Sequence, residues 1–519
     1  MLSYYQFNEL TTTAIRPFKS NDGRYTCLFQ GEITNLHHLR NKLEKTGIHP
    51  NTDRPEEVIL ELFLFSGDPF AQLLRGKFAI IIFDNLLQKI TAVRDRYGSQ
   101  LLHYKLVEEG IAFALKLTDF LALEGWALDD FNQTSLRHYF SYGYIPEDDT
   151  FLNEVYHIPA GCILKYDKSG LSVQPFADLL VLEGSAHQVL DEQEFYNVIT
   201  ESIQARLSKN ESIGMFFRGK IADVALINTA NLAGCEIILF QADFDQNKKS
   251  EHNFDSRIIK RKITPEDYWK SAIASTRILG LPLADSWLPV ENLLAELAQK
   301  HTDILISTDG TDLLFGTEKP FLKKMRNKRI ENEIFSEKEK QNLLQIEGES
   351  WEELIAYYLA EIPDLKPLFR IETLAFNTQL KAKVLKTEQI ANYYDLVARF
   401  PFLDDNVVNM ANFLTRSEKK SMNLFKKIFA AQNTNFGLPV KKNLNQIPLA
   451  KWIRTCLFEN IKELFEEDVV TIFFDHTMLM KILMQHRRGF RDFSDQIWAV
   501  VVFIFWIKEV YAPVLNNDR

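Results

Sequence analysis

Residues 212–233, SIGMFFRGKIADVALINTANLA, leave a folding chain few choices. Residues 213–217 make an apolar run of strand length, and from Asp223 onward Ala and Leu recur at helical spacing. Residues 235–240 (CEIILF) supply a second apolar strand. Strand, turn, helix and strand at this length are a βαβ unit of a parallel sheet, and ligands bind where such strands end. The turn itself is Arg218-Gly219-Lys220-Ile221-Ala222-Asp223. It leads into a helix N-terminus, whose unpaired N–H groups attract anions. Arg218, Gly219, Lys220 and Asp223 are therefore candidate anion- or nucleotide-binding residues.

A chain of 519 residues is too long for one hydrophobic core, so two domains are expected. Its 46% hydrophobic and 25% charged residues are those of a globular protein. The formal charge of −10 argues against nucleic acid as a partner, because that role needs a basic face. The basic run at 323–329 reads as a solvated helix face. Cys27, Cys162, Cys235 and Cys456 are widely spaced and form no CxxC pair, which predicts neither a zinc site nor a disulfide framework. A reduced, cytoplasmic setting is expected. The longest apolar run, residues 497–507, is too short to span a bilayer and reads as a buried core helix.

The first 180 residues alternate short strands with a few helices. Residues 23–33 run as a strand into a turn, 36–45 and 56–66 read as helices, and 78–84 (FAIIIFD) as a buried strand. Residues 89–94, 102–105 and 111–115 continue a meander. The pattern predicts an α+β domain with an antiparallel sandwich over residues 1–180, a linker at 181–187, and an α/β domain with a parallel sheet over 188–519.

The turn at 218–223 and several later segments resemble the asparagine synthetase family. That family's nucleotide loop is strand–Ser-Gly-Gly-x-Asp-Ser-Ser–helix. Here Arg218 stands at the first Ser, Lys220 at the second Gly, Ala222 at the Asp, and Asp223 and Val224 at the last two Ser. Ser307-Thr308-Asp309-Gly310-Thr311-Asp312-Leu313-Leu314-Phe315-Gly316 resembles the family's Ser-Gly-Glu-Gly-Ala-Asp-Glu-Leu-Phe-Gly, whose acids bind Mg²⁺–pyrophosphate. The resemblance makes Asp309 and Asp312 candidate catalytic residues, Gly310 a nucleotide-loop residue and Asp312 a candidate metal ligand. A plain alternative for this segment is a strand-to-helix turn with Asp309 as N-cap. Residues 373–404 read as a helix pair ending in Arg399-Phe400-Pro401-Phe402-Leu403-Asp404, and the catalytic Lys-x-Asp falls on Lys386-Thr387-Glu388. Lys386 and Glu388 are thus candidates too. Residues 241–257 read as a polar loop, and 281–289 resemble a segment near the acceptor site.

The first part resembles the class II glutamine amidotransferase domain of the same family. The resemblance rests on Phe29-Gln30-Gly31-Glu32-Ile33, Arg94-Asp95-Arg96-Tyr97-Gly98 and Leu74-Arg75-Gly76-Lys77-Phe78-Ala79. It implies an Ntn-hydrolase-like sandwich, truncated because the opening strands have no counterpart before Arg16. It makes Gln30, Gly31 and Glu32 the remnant of a glutamine site. The family nucleophile is an N-terminal Cys, whereas Leu2 follows Met1 here and Cys27 lies within a strand. The Asp that grips the glutamine α-amino group falls on Pro55, beside Glu56 and Glu57. The second part is expected to have the adenine nucleotide alpha-hydrolase-like fold with extra C-terminal helices.

Core strands are kept, while the departures gather where glutamine, ATP and Mg²⁺ would touch. The pattern predicts a pseudoenzyme, a binding or scaffolding subunit with no cofactor of its own. Its partner would be an active paralogue, a peptide or protein substrate, or a second copy in a homodimer, in peptide natural-product or glycan biosynthesis. The alternatives are an ATP- and Mg²⁺-dependent amide synthetase without glutaminase activity, of the β-lactam synthetase or lasso cyclase type, and asparagine synthesis itself.

Overall fold

Two faces of one antiparallel sheet organise the first unit. The computed structural model describes residues 3–6, 9–12, 17–108, 110–121, 131–145, 149–177, 191–244, 257–316, 333–348, 350, 353, 376–419, 422–431 and 446–512. The linker at 181–187 and the basic run at 323–329 lie outside the described residues. The chain divides into a unit of residues 1–136, 145–180 and 513–519, and a unit of residues 137–144 and 181–512.

In the first unit a hairpin, β1 (Ser3–Gln6) with β2 (Glu9–Thr12), stands where no strand was expected from the sequence. Strands β3 (Phe18–Lys19), β4 (Tyr25–Ile33), β5 (Gly76–Asp84), β6 (Lys89–Arg94), β10 (Cys162–Asp167) and β11 (Gly170–Pro175) form a sheet in the order β11-β10-β6-β5-β4-β3. Strands β7 (His103–Val107), β8 (Gly110–Ala114) and β9 (Val155–His157) form a second sheet, β8-β7-β9. The unbroken apolar run FAIIIFD follows from burial on both faces. Phe78, Ile80 and Ile82 join Cys27 in the core beneath helices Leu36–Lys45 and Pro55–Ser66. Ala79, Ile81 and Phe83 join Leu28, Ile111 and Phe113 in the core on the opposite face. Period-two alternation thus builds the expected α+β sandwich.

Gly31 has φ +123, and a Cβ there would stand 2.1 Å from the Lys77 carbonyl oxygen. Only glycine fits this crossing of β4 and β5.

The second unit holds a five-stranded parallel sheet, β14-β13-β12-β15-β16. Its strands are β12 (Ile213–Phe216), β13 (Ile237–Asp243), β14 (Ile258–Lys262), β15 (Ile304–Ile306) and β16 (Val397–Arg399). The helix Ile221–Leu232 crosses from β12 to β13 as the βαβ reading required. Three boundaries differ from the sequence reading. That helix begins at Ile221, not Asp223, because Lys220 takes the extended N-cap conformation. Residues 241–243 extend β13 instead of opening a loop, since the strand continues its pairing with β14 through Asp243↔Lys262. Residues 397–399 are an edge strand paired to β15, and a 3₁₀ turn Pro401–Leu403 follows, so 373–404 does not end as a helix pair.

The helix Ser494–Trp506 buries every residue from Ile497 to Trp506, which explains an apolar surface all round. Trp506 Nε1 donates to the Gly280 carbonyl at 3.0 Å, and Tyr139 Oη donates to that of Ala499 at 2.9 Å. Among the described residues no helix is long and apolar enough to cross a membrane.

Replacing Gly31 by Ala combines a positive φ with a backbone clash. It is expected to destabilise the first unit by about 2 kcal/mol or more. Denaturant unfolding followed by circular dichroism, with Gly47→Ala as a control where the Cβ has open space, checks this.

Candidate functional site

Strands β12 and β15 lie side by side in the parallel sheet, so the turns after them meet at its carboxyl edge. The turn after β12 carries Arg218 to Asp223. Asp223 is 1% exposed, and its Oδ2 accepts the N–H groups of Arg218 at 2.9 Å and Lys220 at 3.1 Å. Thr308 Oγ1, from the turn after β15, donates to Asp223 Oδ1 at 3.1 Å. Burial pushes the Asp223 carboxyl up, against the pull of these donors and of the Lys220 and Arg218 charges. The amides that an anion would use are thus accepted by the chain's own carboxylate.

The side chains of the turn reach outward to acids. The Arg218 guanidinium pairs with Glu291 and lies 4.7 Å over the Trp287 ring. Glu291 comes from the helix Leu288–Ala298 and is 3% exposed. Its other oxygen lies 2.9 Å from Lys386 Nζ, which also donates to Asp285 Oδ2 at 2.6 Å. Lys386, itself 3% exposed, comes from the helix Lys381–Tyr393. An ion triad therefore ties three segments together beside the Arg218 turn. Lys220 Nζ meets Asp312 Oδ2 at 3.2 Å, and Lys383 Nζ stands 3.8 Å from the same oxygen.

Asp309 Oδ2 accepts from Ser307 Oγ at 2.8 Å and Thr387 Oγ1 at 2.7 Å. It is not the N-cap of the next helix. That place is taken by Gly310, at φ +92, where a Cβ would stand 2.6 Å from a Leu403 methyl. At Asp285, Asp309 and Asp312 burial acts upward, yet the neighbouring ammonium and guanidinium groups win. Asp285 is held at about 2, chiefly by Lys386, and Asp309 is lowered by Lys386 and Arg218. Asp312 is lowered by Lys220 and Lys383.

The structure thus gathers Arg218, Gly219, Lys220, Asp223, Asp309, Gly310, Asp312 and Lys386 at one edge of the sheet. Glu388 stands apart. Two positions past Lys386, it is turned about 200° round the helix and is wholly buried. Sequence reasoning missed Glu291, Trp287 and Asp285 as individual participants. Glu291 offered one signal, a carboxylate early in the apolar helix LPVENLLAELA. The arrangement does not fit Mg²⁺–ATP, because Asp223 takes the loop amides and two ammonium groups flank the Asp312 carboxylate. Among the described residues no group of three His, Cys, Asp or Glu is placed to hold a metal ion.

In the first unit, Gln30, Gly31 and Glu32 lie exposed on β4, opposite Ala79, Phe78 and Lys77. Cys27 is fully buried, and burial pushes its thiol far above the ordinary cysteine value. Pro55 opens a helix. Glu56 pairs with Arg54 at 2.9 Å, and Glu57 accepts the Asn51 and Thr52 amides at 2.8 and 2.7 Å. Arg94 donates to the carbonyls of Gln100, Ile158 and Gly98. Asp95 accepts the amides of Tyr97, Ser99 and Gln100. That motif braces a turn.

The asparagine synthase profile matches residues 198–508, well over half of the chain, and the glutamine amidotransferase domain profile matches residues 7–177. The chain belongs to the asparagine synthase family. Asparagine synthetase [glutamine-hydrolyzing] 1 of Bacillus subtilis is 23% identical to it, over 96% of this chain and 88% of that protein. The amidase chyE of Penicillium rubens is 22% identical over 48% of this chain and 39% of its own length. Among solved structures, the glutamine phosphoribosylpyrophosphate amidotransferase of B. subtilis with ADP and GMP covers 45% of this chain and 49% of its own. At 15% identity and a TM-score of 0.24, it adds nothing to the argument.

Replacing Glu291 by Gln leaves Lys386 and Arg218 short of a buried partner, with an expected cost of about 3–5 kcal/mol. Six of the seven tryptophans lie at residue 269 or beyond, so tryptophan fluorescence in denaturant reads this unit. The pH dependence follows from Asp285, whose carboxyl is depressed from 3.8 to about 2. Its contribution is present above the unfolded value and is lost as pH falls from about 4 to about 2. Wild type is expected to lose stability over that window more steeply than Asp285→Asn, measured by the same fluorescence midpoint.

Proposed function

We propose that this member of the asparagine synthase family is a non-catalytic binding subunit that neither hydrolyses glutamine nor activates a carboxylate with ATP. One observation carries the reading: the Asp223 carboxylate holds the Arg218 and Lys220 amides. A phosphate entering this turn would meet a buried anion that already accepts the donors it needs. The Arg218 side chain adds to this by spending its charge on Glu291. For the glutamine half, support comes from the buried Cys27 thiol and from the Glu57 carboxylate, which is engaged in bracing its own loop. The partner of such a subunit is an active paralogue or a peptide substrate of one.

A second reading, an ATP-dependent amide synthetase without glutaminase activity, is favoured by the Lys386 ammonium. It is buried, doubly paired and beside Asp309 at the strand ends. A positive charge placed there could steady developing negative charge during acyl transfer.

Pyrophosphate exchange into ATP, measured with Mg²⁺ and a panel of amino and peptide acids, separates the two. The expected result is exchange no faster than the buffer blank, together with no glutamate released from glutamine. Acid-dependent exchange would replace the first reading with the second. Under the first reading, the triple change Arg218→Ser, Lys220→Gly, Asp223→Ser is expected to give saturable ATP binding by calorimetry where wild type shows none.

A further inference from the structure

The helix Pro55–Ser66 keeps Val58, Ile59, Leu60 and Leu62 in the core of the first unit. Its outer stripe is Glu61, Leu64 and Phe65, at the i, i+3, i+4 spacing that puts side chains on one face. The outer stripe of such a helix is ordinarily polar. Here Leu64 is 44% exposed and Phe65 is 55% exposed. Beside them Glu61 is half-buried, and among the described residues it has no hydrogen bond or ion pair. Burial, helped by the Glu57 carboxylate, pushes its carboxyl up.

A second apolar pair stands at the same end of the sheet. In the turn 85–88 between β5 and β6, Leu86 is 70% exposed and Leu87 is 50% exposed. The turn is fixed from below. Asp84 Oδ1 accepts the amides of both leucines at 3.0 Å, and Arg24 Nη2 donates to Asp84 Oδ2 at 2.8 Å. The Asn85 amide donates to the Arg24 carbonyl at 2.8 Å, and its Nδ2 donates to the same oxygen at 2.9 Å. Gln88 takes φ +53, and its Nε2 donates to the Asn85 carbonyl at 2.6 Å. Two leucines are thus held in water on a loop that is already ordered, so covering them costs little further ordering of the backbone. Tyr25 links the two pairs. It stands opposite Asp84 in the sheet, its ring lies edge-on to Phe63 at 6.5 Å, and the Arg24 guanidinium lies 4.9 Å over that ring. The last turn of the helix and the β5–β6 turn therefore adjoin one residue. It lies at the end of the sheet away from the Gln30–Glu32 and Arg94–Gly98 motifs.

Four large apolar side chains left in water call for an apolar cover. The carboxylate decides what kind. A lipid surface binds through a basic rim, and Glu61 would face its phosphates. An amphipathic helix brings an apolar stripe with lysine or arginine beside it, and such a cation pairs with a half-buried carboxylate that has none.

We propose that this end of the first unit docks an amphipathic helix of a partner protein. The apolar stripe of that helix covers Leu64, Phe65, Leu86 and Leu87, and its lysine or arginine pairs with Glu61. Docking here involves the first unit alone, and pyrophosphate exchange does not bear on it.

The probe is a labelled peptide of about 18 residues, about five turns, built from Leu and Lys with Leu on one helical face. It is titrated with the full chain and followed by fluorescence anisotropy. A Leu and Glu peptide of the same pattern is the charge control. Saturable one-to-one binding of the Leu/Lys peptide is expected, and none of the Leu/Glu peptide. Leu64→Ser with Phe65→Ser, and Leu86→Ser with Leu87→Ser, are each expected to weaken binding at least about tenfold, because buried apolar area is lost. Glu61→Gln is expected to weaken it about threefold and to flatten its salt dependence. Leu106→Ser, at another exposed leucine of the same unit, is expected to change nothing. These positions are on the surface, so circular dichroism is expected to stay unchanged. Several outcomes would overturn the proposal: no saturable binding by wild type, binding indifferent to either leucine-bearing pair, or equal binding of the Leu/Glu peptide. So would leucine-dependent retention on phosphatidylcholine–phosphatidylserine vesicles, or a dimer of the chain that the same changes dissociate.

Discussion

One ammonium group, Lys386 Nζ, fixes the geometry of the sheet edge. It lies 2.6 Å from Asp285 and 2.9 Å from Glu291, and it is nearly inaccessible to water. A buried charge is tolerated only with close opposite charges, so the three segments that carry these groups must arrive together. Arg218 then pairs with the free side of Glu291, which draws the turn after β12 into the same network. The lowered carboxyls of Asp285 and Asp309 follow from that ammonium group.

The consequence is a site whose electrostatics are closed on themselves. Arg218, Lys220, Lys383 and Lys386 face Asp223, Asp285, Glu291 and Asp312, and the close pairs leave little uncompensated charge. A catalytic phosphate site needs the reverse, with donors held open by the scaffold and unpaired until the ligand arrives. Here the donors of the turn have been turned inward by a carboxylate three residues into the helix. The family's fold is present, and the polar groups at this edge are paired with one another.

The first unit tells a parallel story with different chemistry. Its motifs survive as architecture. Arg94 and Asp95 brace a turn through carbonyl and amide contacts, and Gly31 permits two strands to cross closely. A motif match therefore speaks for the fold more strongly than for the activity.

The sequence by itself determined the layers. Apolar period-two runs and the strand–turn–helix signature dictate a sandwich followed by a parallel sheet, because burial of those faces admits few other solutions. It also placed Lys220, Asp223, Asp309 and Asp312 at strand ends, while Lys386 was singled out only by the family resemblance. What it could not determine was pairing. Asp223 as a cap for amides three and five residues back, Glu291 as the hinge between Arg218 and Lys386, and residues 397–399 as an edge strand are all settled by contacts between segments about 70 to 95 residues apart, or by φ and ψ at a single turn. Local pattern fixes which residues are polar and where the chain turns. Only the packed structure decides which opposite charge each of them meets, since the cost of burying a charge is set by its neighbours in space and not by its neighbours in sequence.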